Sequence, residues 1–155
     1  MEKMMIDLFG DKIEYRFDYD QIEKDILRNS IKNDIIPISF KPTEKGVKMT
    51  YGKDCSLNVS GWYAIFKDNT LLYIGCSTTN ISQRVRRFFK ELVNKSRDDE
   101  SHPCAEDYRK NYYDGSTNGF SLMYFEDTEE LPLNELEQVE KRLIKSLRPL
   151  LNKKK

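Results

Sequence analysis

One stretch limits the fold of this chain more than any other. Gly61 to Phe66 and Leu71 to Gly75 are short runs rich in aromatic and aliphatic residues, joined by the polar turn Lys67-Asp68-Asn69-Thr70. That pattern predicts a β-hairpin, with Tyr63 and Tyr73 carried on paired strands. Asn80-Ile81-Ser82-Gln83 then reads as the cap of a helix, on which Ile81, Val85, Phe88, Phe89 and Leu92 share one stripe. Arg84 follows Ile81 by three residues and precedes Phe88 by four, which places it at the edge of that stripe. It can reach over the core margin toward the hairpin, while Arg86 and Arg87 point further outward.

Further along, Pro103 to Tyr112 reads as a short helix, and Asp114-Gly115 and Asn118-Gly119 punctuate the approach to a strand from Phe120 to Phe125. Asn134-Glu135-Leu136-Glu137 is expected to cap a last helix, which Pro149 ends near Arg148. Its inward stripe is Leu136, Val139, Leu143, Ile144 and Leu147, and Glu140 falls inside it. Burying an unpaired carboxylate is costly, so Glu140 should meet a cation, accept several hydrogen bonds or line a wet cleft. A salt bridge to a nearby arginine is the plain alternative. Tyr63 and Tyr73 likewise have a plain reading as strand aromatics, and Arg84 as a solvated residue covering an apolar edge.

Residues 1–60 form a preface with no recognisable motif. Lys12 to Phe17 alternates like a strand, Asp20-Gln21-Ile22-Glu23 opens a helix through about Asn33, and Ile35 to Phe40, interrupted by Pro37, suits an edge strand or extended arm. Lys41 to Lys53 reads as turn-rich and polar.

The chain has 155 residues, 38% of them hydrophobic, which allows one domain with a genuine core. It has no apolar run of membrane-spanning length, and its opening residues soon turn acidic and aromatic, unlike a signal peptide. A soluble, cytoplasmic protein without membrane partners is expected. Cys55, Cys76 and Cys104 form no CxxC pair and suit free thiols; with His102 they offer four zinc-ligand side chains, but at no standard spacing. Net charge is zero, yet residues 84–97 carry six basic side chains against Glu91 alone, and residues 141–155 carry seven and no acid. Such segregation can present a basic face to phosphates, although solvated helix faces give the same pattern.

Gly61-Trp62-Tyr63, Tyr73-Ile74-Gly75, Asn80 to Val85, and Glu140 followed by Ile144-Lys145, Pro149 and Asn152 together resemble the GIY-YIG nuclease superfamily. The resemblance runs from Gly61 to Asn152. It implies an α+β fold with a small central antiparallel sheet of about three strands flanked by helices. Residues 59–155 would be the nuclease domain and residues 1–58 an N-terminal α/β extension supplying DNA contacts or oligomerisation. The implied activity is metal-dependent hydrolysis of DNA phosphodiester bonds, on double-stranded DNA, with no organic cofactor. Glu140 would hold Mg²⁺ or Mn²⁺, and Arg84 a non-bridging oxygen of the scissile phosphate. Tyr63 would take the attacking water's proton or align that water, the former needing a lowered pKa from Arg84 and the metal. Tyr73 would hydrogen-bond near the same phosphate and Asn152 would brace the site. Arg86, Arg87, Lys90 and Lys145 are the expected DNA-backbone contacts.

Three positions depart from the superfamily pattern. Trp62 replaces a small aliphatic, on the side opposite Tyr63, and should affect packing only. Cys76 stands where several relatives have lysine. Phe88 stands where many have His or Tyr, removing a proton carrier that His102 would replace if its loop folds back. The rivals to an endonuclease of restriction or phage type are a DNA-binding protein that has lost cleavage and a structural module in which Glu140 pairs with Arg84.

Overall fold

The computed structural model describes residues 5–8, 11–14, 24, 35–52, 55, 57–96 and 101–152. The expected helix from Asp20 lies, apart from Lys24, outside the described residues, as does the expected strand beyond Glu14. Met5–Leu8 (β1) and Asp11–Glu14 (β2) pair as an antiparallel hairpin.

The fold is α+β, built on one antiparallel sheet of five strands in the order β4-β3-β7-β5-β6. The strands are Ile36–Thr43 (β3), Gly46–Tyr51 (β4), Gly61–Lys67 (β5), Thr70–Ser77 (β6) and Phe120–Glu126 (β7). The helices are Ile81–Leu92 (α1), Pro103–Asn111 (α2) and Leu133–Leu147 (α3). The sheet therefore exceeds the expected three strands, because residues 36–51 form a second hairpin in place of a polar arm. Its alternation is real but half hidden. Ile36, Ile38, Phe40 and Val47 turn inward, while Pro37, Ser39, Lys41, Lys48 and Thr50 turn outward. Nor is β3 an edge strand. It pairs with β7 from Ile36↔Leu122 to Ile38↔Phe120 and with β4 from Ile38↔Tyr51 onward. Pro37 escapes the need to donate because the β4 pairing begins one residue later.

Each face of the sheet has its own core. Toward α1 and α2 lie Ile36, Ile38, Phe40, Val47, Tyr63, Ile65, Tyr73 and Phe120, packed on Ile81, Val85, Phe88, Phe89 and Leu92. Toward α3 lie Trp62, Ala64, Phe66, Ile74 and Met123, packed on Leu136, Val139, Leu143 and Ile144. Burying an aliphatic or phenylalanine side chain of this size contributes about 1.5–3 kcal/mol, so both helix stripes are strongly held. β3 and β4 supply part of the first core, which makes residues 36–51 integral to the sheet.

Asn80 caps α1 as expected, its side chain accepting from the Gln83 N–H. The Ile81 and Ser82 N–H groups donate to Val59 and Leu57 carbonyls, fastening the helix start to the chain before β5. The expected Asn134 cap of α3 is not formed. Pro132 occupies the N-cap with no side-chain bond, and its carbonyl accepts from the Glu135 and Leu136 N–H groups. Proline's fixed φ, here −67°, sets the entry to the helix two residues earlier than a cap at Asn134 would. At the other end, Arg148 closes α3 in the left-handed conformation, with φ 49°, before Pro149.

Candidate active site

The two motif glycines make room for different neighbours, one for a tyrosine ring and one for the backbone of β7. Tyr63 lies opposite Gly75 in the β5–β6 register. A Cβ at position 75 would stand 2.5 Å from Tyr63 Oη and 2.6 Å from Cζ, so only glycine lets that ring cross β6. Gly61 has φ +146°, and a Cβ there would overlap the Phe125 carbonyl oxygen of β7. The Tyr63 and Tyr73 rings, both on the α1 side of the sheet, are 6.1 Å apart between centroids.

Arg84 and Glu140, on separate helices, both act electrostatically on these phenols. Burial pushes the Tyr63 phenol well above its ordinary value; Tyr73 and Glu140 push it the same way, and Arg84 opposes them. Tyr73 is raised by burial and then by the Glu140 charge, again against Arg84. One carboxylate and one guanidinium thus act on both phenols, although Glu140 and Arg84 come from α3 and α1. Glu140 is only 6% exposed, as its place in the α3 stripe implies. The lowered pKa that base duty by Tyr63 requires is not produced by the protein's own groups: desolvation outweighs Arg84.

Beside them opens a cleft of about 560 Å³, lined by Tyr73, Arg84, Arg87, His102, Cys104, Asp107 and Asn152 among others. Tyr73, not Tyr63, is the tyrosine that faces it; Tyr63 is 2% exposed and sits behind. Arg87 joins Arg84 at the cleft, where an outward direction was expected. Arg86 turns the other way and donates from Nη1 to the Val47 carbonyl of β4 at 2.9 Å. The Lys90 stem runs over Gly46 at the β3–β4 turn. Lys145 is exposed on α3 and does not line the cleft.

The loop carrying His102 does fold back. Its ring packs edge-on against Tyr73 at 4.9 Å and against Phe88 at 5.3 Å between centroids. His102 is also the N-cap of α2, with Nδ1 accepting from the Ala105 N–H at 3.2 Å. Sequence reasoning missed what holds it there. Glu91, 5% exposed, accepts the His102 N–H at Oε1 and meets Arg109 Nη2 through Oε2 at 3.0 Å. Arg109 Nε adds a bond to the Glu91 carbonyl. The available signal was spacing: Arg84, Arg87 and Glu91 recur at i, i+3 and i+7, which puts them on one flank of α1.

Asn152 is bound to the backbone of β6. Its Oδ1 accepts from the Ile74 N–H at 2.9 Å and its Nδ2 donates to the Ile74 carbonyl at 3.0 Å. With the Leu150 and Leu151 N–H groups bonded to Leu71 and Leu72, it pairs the outer edge of β6 as a further strand would. Trp62 does more than fill space. Its indole N–H donates to the Leu136 carbonyl at 3.0 Å, one turn before Glu140 on α3.

Among the described residues, no three His, Cys, Asp or Glu side chains gather as a metal-binding group. Glu140 is the carboxylate whose charge acts on both tyrosines. Among the described residues, no helix is long and apolar enough to cross a membrane. No family model matches the chain, and no curated protein or solved structure matches it significantly. The chemistry of the site therefore rests on its own geometry.

Proposed function

We propose that this protein is a metal-dependent DNA endonuclease of the GIY-YIG type. One observation carries the reading: a buried carboxylate and an arginine from different helices act on the same two tyrosines beside a cleft that holds a second arginine. Arg84 and Arg87 offer planar forks for a phosphodiester's non-bridging oxygens. Tyr73 faces the same space and, as a phenol, donates a hydrogen bond to the phosphate. Tyr63, equally protonated, aligns the attacking water by hydrogen bonding instead of taking its proton. Glu140 is the residue that would hold Mg²⁺ or Mn²⁺, whose charge would steady the leaving oxygen. Hydrolysis then forms a bond from the water oxygen to phosphorus and breaks the bond to the leaving oxygen. The leaving oxygen ends protonated, and the water's excess proton passes to solvent. One such site cuts one strand, so a double-strand break needs a second copy or a second encounter.

The second reading is a DNA-binding protein of the same fold that no longer cuts. The raised Tyr63 phenol and the apolar Phe88 favour it. Supercoiled plasmid incubated with Mg²⁺, Mn²⁺ or EDTA separates the two. Nicked or linear product that appears only with metal supports the endonuclease; retarded but intact DNA supports the binder.

A further inference from the structure

The sheet face that α3 covers over β5 and β6 is open over β3 and β4, where Pro37, Ser39, Lys41, Lys48 and Thr50 are exposed. The register sorts these side chains into rows. Ser39 stands opposite Thr50, and two residues further along Lys41 stands opposite Lys48, all four on the same face. Like charges directly opposite one another weaken a strand pair, so the two lysines are a local cost to folding that a bound anion would offset. Residues 36–51 carry three lysines against Glu44 alone. Arg86, turned away from the cleft and bonded to the Val47 carbonyl, adds its charge to the same edge of the sheet. Beside the hydroxyl row lies a hollow of about 320 Å³, lined by Ser39, Thr50, Asn118 and Ser121 among others. Lysines, hydroxyls and side-chain amides are the groups that contact nucleic-acid phosphates.

We propose that this open face of β3 and β4 is a second contact surface for duplex DNA, which it holds by the sugar–phosphate backbone and not by base sequence. The side chains favour that occupant over others. Neither exposed large apolar residue among those described, Tyr112 or Leu133, stands on β3 or β4. The face therefore lacks the aromatic platform that stacks single-stranded bases, the apolar wedge that enters a membrane, and the aromatic anchors of a protein interface. It is also separate from the cleft beside Tyr73. β4 and β6 are the two edges of the sheet, four strand spacings or roughly 19 Å apart, and the two surfaces look out from opposite faces. A separate stretch of duplex is held here, whether or not the cleft cuts.

Fluorescence anisotropy of a short labelled duplex in EDTA, over a series of salt concentrations, tests the proposal. Each phosphate contact adds about 0.9 to the slope of log affinity against log salt, so Lys41→Gln with Lys48→Gln should reduce that slope by about 1.8. Binding should weaken alike for unrelated sequences. An unchanged slope overturns the proposal, as does a loss confined to one sequence. The double substitution relieves a repulsion, so the urea midpoint should hold or rise and lost binding is not lost fold. In the unsubstituted protein, the amide resonances of Ser39, Lys41, Lys48, Thr50 and Ser121 should move as duplex is added; silence there overturns the proposal without any variant. Vesicles of anionic phospholipid are the rival probe. Vesicle binding that the double substitution abolishes, with the DNA slope unmoved, would give the surface to a membrane and overturn it. Failure of the cleft reading looks different: Arg84→Ala with Arg87→Ala leaves DNA affinity unchanged, or no metal supports nicking, while the lysine substitutions still lower the slope.

Discussion

The two faces of the sheet do different work with similar materials. The face under α3 is apolar throughout its contact layer, from Trp62, Ala64, Phe66 and Ile74 to Leu136, Val139, Leu143 and Ile144. The face under α1 and α2 has the larger core, yet it carries Tyr63 and Tyr73 and is bordered by Arg84, Arg87, Glu91 and His102. Each strand serves both faces by alternation, so Trp62 and Tyr63, neighbours in sequence, belong to different layers. The wholly apolar contact layer and the polar cleft are thus separated across the thickness of a single sheet. Glu140 is the exception. It rides on the adhesive helix and acts electrostatically on the tyrosines of the other layer.

That exception gives the largest expected effect. Glu140→Gln should lower metal-dependent nicking by about 10²-fold or more while leaving DNA retardation intact, since it removes a charge from the reacting centre without removing a phosphate ligand. Retained cutting would detach α3 from the chemistry altogether. Arg109→Ala tests the polar rim of the opposite face. It strands the buried Glu91 carboxylate and should cost about 2–3 kcal/mol in urea unfolding, less than a fully buried pair because Arg109 is partly exposed. Trp62→Phe keeps most of the apolar area but deletes the bond to Leu136, for about 1–2 kcal/mol. Nicking should weaken with it, because the same turn leads to Glu140.

The smallest effect concerns pH. Tyr63 and Tyr73 are raised above 10.0, the ordinary tyrosine value, mainly by burial. Below that pH both are neutral, folded or unfolded, and their burial favours the fold fully. Above it the unfolded chain ionises first, so stability declines as pH rises toward the folded values. Urea midpoints measured on either side of pH 10 should show that decline, and Tyr63→Phe should blunt it.

How much of this was legible in the sequence depended on how local each feature is. The hairpin from Gly61 to Gly75, the Asn80 cap and the α1 stripe are set by neighbours within a few residues, and the structure has them as read. Glu140 stood out because one charge interrupts an apolar stripe. The hairpin of β3 and β4 was missed because its outward half is Pro, Ser, Lys and Thr, and its inward half gains meaning only against β7 and α1. The α3 cap was misplaced because Pro132 satisfies the first N–H groups through its carbonyl, where a side-chain pattern was expected. Glu91 was legible only as a stray acid. Its partners, His102 and Arg109, lie 11 and 18 residues away, beyond any periodicity. The fate of Tyr63 was hidden for another reason: no spacing tells how dry a hydroxyl is.

Trp62 is the chain's sole tryptophan, and its indole is both dry and tied to α3. Its fluorescence is therefore a private gauge of one interface. Blue-shifted emission reports a seated α3, and a red shift reports that helix lifting from the sheet, whatever happens on the other side. Any solvent condition can then be sorted by colour, into those that loosen the helix bearing Glu140 and those that leave it docked.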